Sequence, residues 1–217
     1  KTAYEIASCL VGSEMCIRDR IIFIVSFIAV VGVMAAWYLV PKFLETPSYK
    51  VAEKDGNIEV RIYEGMLLQS VKVSGSQYQS LRKGFRPLVN YISAKGRDGE
   101  KISMTAPVMQ SLGEKEDQWI VSFSMPSKYN KKNLPEPNNE TIYTETLEPI
   151  MTAVIRFAGK TDKNSLLIKE KEKVLKEWLK YRDFKIISKP KYLFYNDPST
   201  PGFLRRNEVM FIISKTS

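Results

Sequence analysis

The residues whose types and spacing could do chemistry lie near the end of the chain. There the loop Tyr195-Asn196-Asp197-Pro198-Ser199-Thr200-Pro201-Gly202 runs through Phe203 and Leu204 into Arg205 and Arg206, and then into a terminal apolar strand, Val209 to Ile213. An arginine held by such a loop can grip an anion through charge-assisted hydrogen bonds. About a hundred residues upstream stands a second long motif, Lys101-Ile102-Ser103-Met104-Thr105-Ala106-Pro107-Val108. Between Ser76 and Ser93 an amphipathic pattern puts Phe85 and Val89 four apart, hence on one helical face.

Most other chemistry is closed to this chain. It has no histidine, and its two cysteines, Cys9 and Cys16, both precede the apolar N-terminal run. A Ser-His-Asp triad is excluded, and no zinc or copper ligand set is apparent. Gly-rich phosphate cradles are absent. Glu53, Asp55, Glu59 and Glu64 have the spacing of a solvated hairpin, and Ser103, Thr105 and Ser122 have no neighbouring base in sequence. The chain reads as a binding protein, not an enzyme.

The net charge is +9, and residues 1–20 contribute none of it, with three basic side chains against three acidic ones. A basic surface suits anionic partners such as carboxylated tetrapyrroles or anionic lipid. No helix-turn-helix signal, zinc ligand set or aromatic RNA-binding motif points to nucleic acid.

The loop-Arg-Arg segment and the Lys101–Val108 segment together resemble the SOUL haem-binding protein family, over roughly Tyr49 to Ile213. The resemblance implies a pseudo-symmetric α+β fold and a haem or related tetrapyrrole ligand, bound non-covalently. It also implies ligand contacts along the first helix, here Phe85, Val89 and Asn90, and on the loop, here Thr200, Pro201 and Arg205, with Arg205 facing a propionate. Ordinary readings stand beside these. Phe85 and Val89 fit a core stripe, and Arg205 and Arg206 could tie the loop to a carboxylate such as Asp197. Without histidine, axial ligation of haem iron would fall to Met, Tyr or water. By residue type the candidates are Met104, Met109, Tyr91 and Tyr195.

The elements that must position these residues follow from periodicity. Ile21 to Val40 is an uncharged run of 20 residues, about 30 Å as a helix, the thickness of a bilayer core. Trp37 and Tyr38 sit near its end as interfacial aromatics do. It is expected to be a single-pass anchor, with a signal peptide as the competing reading. Arg18 and Arg20 put the N-terminus in the cytoplasm and the domain outside. Residues 1–20 resemble translated sequencing-adaptor read-through and are set aside as non-native. Residues 41–48 form a linker, and 49–215 the binding domain.

Within that domain, strands are expected at Tyr49–Glu53, Ile58–Tyr63, Met66–Val73, Ile102–Met109 and Trp119–Met125. After a polar connection at 128–140 they resume at Thr141–Leu147, Ile150–Phe157, Phe184–Ser188, Tyr192–Tyr195 and Val209–Ile213. Ile58, Val60 and Ile62 alternate with polar partners, so one face should be buried. Helices are expected at Ser76–Ser93, capped by Ser74 or Ser76, and at Asp162–Arg182, whose stripe is Leu167, Val174, Leu175, Trp178 and Leu179 and whose polar face alternates Lys and Glu. Gly84 and Pro87 are anomalies that predict a kink or a later start; a kink beside Gly84 would let a flat ligand reach the backbone. The two halves share one order of elements, which predicts an α+β fold: a duplicated, pseudo-symmetric antiparallel sheet or barrel-like core with two main helices, plus the N-terminal transmembrane helix.

These readings converge on a membrane-anchored protein that binds haem or a related tetrapyrrole reversibly, as a carrier or buffer without histidine ligation. A binding module for another small amphipathic ligand, or a protein-interaction domain with no ligand, are the alternatives.

Overall fold

The computed structural model describes residues 3–39, 43–95, 97–161 and 166–216, with backbone alone for residues 3–17, 37 and 38. The expectations that fall on Val40, Pro41, Lys42 and residues 162–165, and on the side chains of Trp37 and Tyr38, lie outside the described residues. The chain divides into two compact units, Lys1–Lys42 and Phe43–Ser217.

The first unit holds helix α1, Ala3–Leu39, unbroken between the segment set aside and the apolar run. Its stretch Arg18–Ala36 is long and apolar enough to cross a membrane, and no side chain in it is buried. A core helix would show the reverse.

The second unit is an antiparallel sheet with two helices. In chain order it comprises β1 Tyr49–Asp55, β2 Ile58–Tyr63, β3 Met66–Ser74, α2 Gln77–Ile92, β4 Val108–Leu112, β5 Gln118–Ser124, β6 Ile142–Leu147, β7 Ile150–Phe157, α3 Leu166–Lys180, β8 Phe184–Ile186, β9 Lys191–Phe194 and β10 Asn207–Lys215. The strands line up as β1-β2-β7-β10-β9-β4-β5-β3-β6, with β8 on the far end of β10. The path is open, with β1 and β6 at its edges, so the architecture is the sheet and not the closed barrel.

The expected duplication is visible in this order. Two repeats, β2-β3-α2-β4-β5 and β6-β7-α3-β9-β10, meet where β4 pairs with β9. The leading strands are exchanged: β2 pairs with β7 of the second repeat, and β6 with β3 of the first.

Each helix covers its own half of one sheet face. α3 lies over Val60, Ala153, Val209 and Phe211, burying Ile168, Leu175 and Leu179. Val174, expected on that stripe, is exposed. α2 lies over Val71, Val121 and Phe123, burying Leu88, Tyr91 and Ile92. The opposite face is apolar too, built from Tyr63, Leu68, Met109, Val154, Leu193, Tyr195 and Met210. For this reason the alternation in β2 misleads: Ile62 is exposed, whereas Arg61 is buried.

Other departures have local causes. α2 starts on time and runs through Pro87, and Ser76 occupies the cap position without a side-chain bond. Gly84 serves packing: a Cβ there would stand 2.6 Å from Val121 Cγ2, so the helix sits as close to the sheet as its backbone allows. The expected strand at 102–109 begins only at Val108. Before it, Pro107 has no N–H to donate to a ladder. The Ala106 N–H instead donates to the Glu45 carbonyl, and Ile102 N–H to that of Ile92.

Candidate functional site

The duplicated topology leaves a groove between α2 and α3, over the seam where β4 meets β9. Gln110 and Leu112 of β4, Tyr192 and Phe194 of β9, and Trp119 of β5 line it; α2 contributes Gln77, Tyr78 and Leu81. α3 contributes Ile168 and a basic row, Lys169, Lys173, Lys176 and Lys180, interrupted by Glu172 and Glu177. The cavity measures about 1150 Å³, ample for a cofactor-sized molecule.

Its walls are fixed. Trp119 Nε1 donates to the Gly75 carbonyl at 3.0 Å, and the ring lies 6.2 Å from that of Tyr192. The Tyr192 hydroxyl donates to Glu172 at 2.9 Å, and Lys176 pairs with the same carboxylate at 2.6 Å. Burial, and then the Glu172 charge, push the Tyr192 hydroxyl well above its ordinary pKa, so it stays a donor. Lys180 pairs with Glu177. Lys169 and Lys173, one helical turn apart, make no ion pair among the described residues. At the floor Gln110 is 1% exposed and donates to the Gln77 carbonyl. Gln110 Oε1 and Gln77 Nε2 are buried without a hydrogen-bond partner among the described residues.

The residues expected at the site fall into three places. Phe85 continues the Tyr78–Leu81 face of α2, about 39% exposed, with its ring edge-on to Phe123 at 5.4 Å. Phe123 pairs with Val108, which pairs in turn with the groove residue Phe194. Phe85 thus lies over β5, and it is not among the residues that line the groove. Val89 packs into the core beneath α2. Asn90 faces elsewhere, into a cavity on another side of the helix.

On the loop, Thr200 is buried. Arg205 Nε donates to its carbonyl at 2.7 Å, and Arg205 Nη2 donates to that of Pro198. Pro201 opens a 3-10 turn over Gly202–Leu204. Arg205 thus shapes its own loop through carbonyls and not through Asp197, whose carboxylate accepts the Ser199 N–H.

The proposed axial candidates are occupied otherwise. Tyr91 and Tyr195 donate their hydroxyls to the Pro135 carbonyl and to Glu208. Burial raises both pKa values, against the phenolate that iron would need. Met109 is a core side chain, and Met104 packs, partly buried, against the core beneath α2. Among the described residues the groove offers an aromatic floor and a lysine row, with no histidine or cysteine in its lining.

Two features escaped the sequence. The lysine row of α3 reads as a solvated face; only the groove opposite gives Lys169 and Lys173 another reading. The second feature is a charge network on the other face of the sheet. Arg61 Nη1 and Nη2 donate to both oxygens of Glu208 at 2.8 and 3.1 Å, Arg206 donates to Oε1 and Tyr195 to Oε2. Arg61 also stacks on Tyr49 at 4.4 Å and Arg206 on Tyr195 at 3.8 Å. The sequence signal was a glutamate inside the apolar terminal strand and an arginine inside β2.

Comparison with solved structures shows the fold elsewhere. The C-terminal domain of EcmrR aligns with a TM-score of 0.54 at 12% identity, covering 77% of this chain and 98% of that one. A hydrolase from Listeria innocua aligns with a TM-score of 0.51 at 11% identity, over 75% and 94%. At such identities the likeness is of fold alone. No curated protein matches the chain. The family model described as SOUL heme-binding protein matches residues 44–212, nearly the whole sheet and both helices that wall the groove. This chain belongs to the SOUL heme-binding protein family.

Proposed function

We propose that this protein binds haem or a related tetrapyrrole reversibly in the interhelical groove, as a membrane-anchored carrier or buffer and not as an enzyme. The observation that carries the reading is the groove itself. It has an aromatic floor and, on one wall, two lysines that make no ion pair among the described residues. A flat apolar macrocycle with two carboxylates is complementary to such a surface. Membership of the SOUL family supports the same ligand class. With no histidine in the chain, affinity comes from the faces of the macrocycle and its carboxylates, which favours exchange over permanent retention.

The test is an absorbance titration of untagged residues 43–217, which contain all three core clusters, with hemin and protoporphyrin IX in parallel. Saturable one-to-one binding of both is expected. Phe85→Asp should weaken it about tenfold or more while leaving the unfolding midpoint nearly unchanged, since Phe85 is part-exposed. Absence of saturable binding would sink the tetrapyrrole reading and leave another amphipathic ligand or a protein partner. Equal loss of folding and binding in the variant would make Phe85 a core residue.

The anchor is residues 21–40, most of which fall in the stretch Arg18–Ala36 that is long and apolar enough to cross a membrane, with the N-terminus in the cytoplasm and the binding domain outside. Full-length protein should stay with membranes after alkaline carbonate washing. Release into the supernatant without cleavage would refute the anchor.

A further inference from the structure

On another side of α2 from the groove lies a cavity of about 410 Å³ in which every charged lining residue is cationic: Arg86, Lys95 and Arg97. We infer that it is a second binding site, for a small polyanion carrying phosphate or carboxylate groups.

Arg97 is the fixed element. It is buried, with Nε donating to the Tyr91 carbonyl at 2.8 Å, Nη1 to that of Asp98 at 2.7 Å and Nη2 to that of Glu100 at 2.8 Å. Its guanidinium lies 5.0 Å over the Tyr91 ring. Tyr91 is itself held by its hydroxyl bond to the Pro135 carbonyl at 2.6 Å. Three of the five guanidinium N–H groups are used, and two remain to donate. A cation held this firmly loses little freedom when an anion arrives.

The rest of the lining also offers donors. Arg86 and Lys95 are exposed and make no ion pair among the described residues. Asn139 Oδ1 accepts from the Thr141 N–H and hydroxyl at 3.0 and 2.7 Å, so the group it presents is its NH₂. Asn90 adds a further amide, about 140° around the helix from Phe85. The carboxylates of Asp98 and Glu100 do not line the cavity, since that loop turns its carbonyls to Arg97. Low-dielectric walls from Pro87, Tyr91 and Ile142 concentrate the positive field. The volume exceeds a single inorganic ion and suits a small organic molecule.

Isothermal titration of the full chain in phosphatidylcholine nanodiscs with inorganic pyrophosphate, and separately with citrate, tests this at constant ionic strength. Saturable one-to-one binding of at least one is expected. It should weaken at least tenfold in the double variant Arg86→Gln, Lys95→Gln, whose exposed positions leave the thermal midpoint and the hemin titration unchanged. Repeating it with phosphatidylglycerol in the disc identifies the natural source. Competition between lipid and pyrophosphate assigns the site to a headgroup phosphate, and its absence to a free polyanion. Non-saturable binding, or equal affinity in the variant, overturns the proposal.

Discussion

Replacing Glu208 by alanine is expected to remove about 3–5 kcal/mol of folding stability from the 43–217 unit, the usual cost of taking one partner from a buried ion pair. The midpoint of thermal unfolding should fall by on the order of 10 °C. The size follows from what would be left behind. The Glu208 side chain is fully buried and that of Arg61 is 2% exposed, so the Arg61 guanidinium would stay in the sheet with Glu59, at 2.8 Å and part-exposed, as its remaining carboxylate partner among the described residues. Arg206 and the Tyr195 hydroxyl would each lose a bond as well. Tyr195→Phe, which removes one donor and keeps the pair, should cost only about 1 kcal/mol. Denaturant titration distinguishes the two. A loss below 1 kcal/mol for Glu208→Ala would show that the network contributes nothing net.

The same network fixes a sign for pH dependence. Burial alone would raise the Glu208 carboxyl, but the bonds and charges of Arg61, then Arg206, outweigh it and hold the pKa below the ordinary carboxylate value. A carboxyl depressed in the folded state stabilises above its unfolded pKa and loses that contribution as pH falls through the folded value. Acid should therefore destabilise the native chain more steeply than a Glu208→Gln variant over that range.

The second large effect is on binding. Lys169→Glu together with Lys173→Glu should lower porphyrin affinity by about a hundredfold, since each charge-assisted hydrogen bond contributes roughly 1.5–3 kcal/mol and reversal adds repulsion. Folding should change little, because both side chains are exposed on α3 and neither makes an ion pair among the described residues. The control is Lys176→Gln, whose ammonium is already engaged with Glu172, and it should weaken binding less. If reversal at 169 and 173 leaves the titration curve unmoved, the carboxylates lie elsewhere, and the 195–206 loop becomes the place to look.

How far the sequence could be read depended on range. Local periodicity located β2 and β7 to the residue and α2 to within one residue at each end, because a buried stripe or alternation is written in neighbouring positions. It failed where the environment comes from afar. Arg61 looked like a solvent-facing member of an alternating strand, and its partner Glu208 lies 147 positions away. Gly84 looked like a weak point for a ligand to approach, until Val121 and Val71 appeared beneath it. Phe85 was legible as part of a helical face, though it does not line the groove. Lys169 and Lys173 were not, because a lysine beside a groove and a lysine beside water have the same neighbours in sequence.

The exchange of leading strands governs how the chain can be made. During synthesis, β2 emerges with no partner on the side that β7 will fill, and Ile58 waits about a hundred residues for Ile155. β3 likewise lacks one neighbour until β6 has left the ribosome. Neither repeat can be released as a finished half-domain, because each lends its leading strand to the other. Contacts this distant in sequence slow folding and lengthen the time an open edge is exposed. A translational pause between Ser124 and Thr141 would leave the first repeat with its β3 edge bare, and aggregation of such stalled chains would begin there.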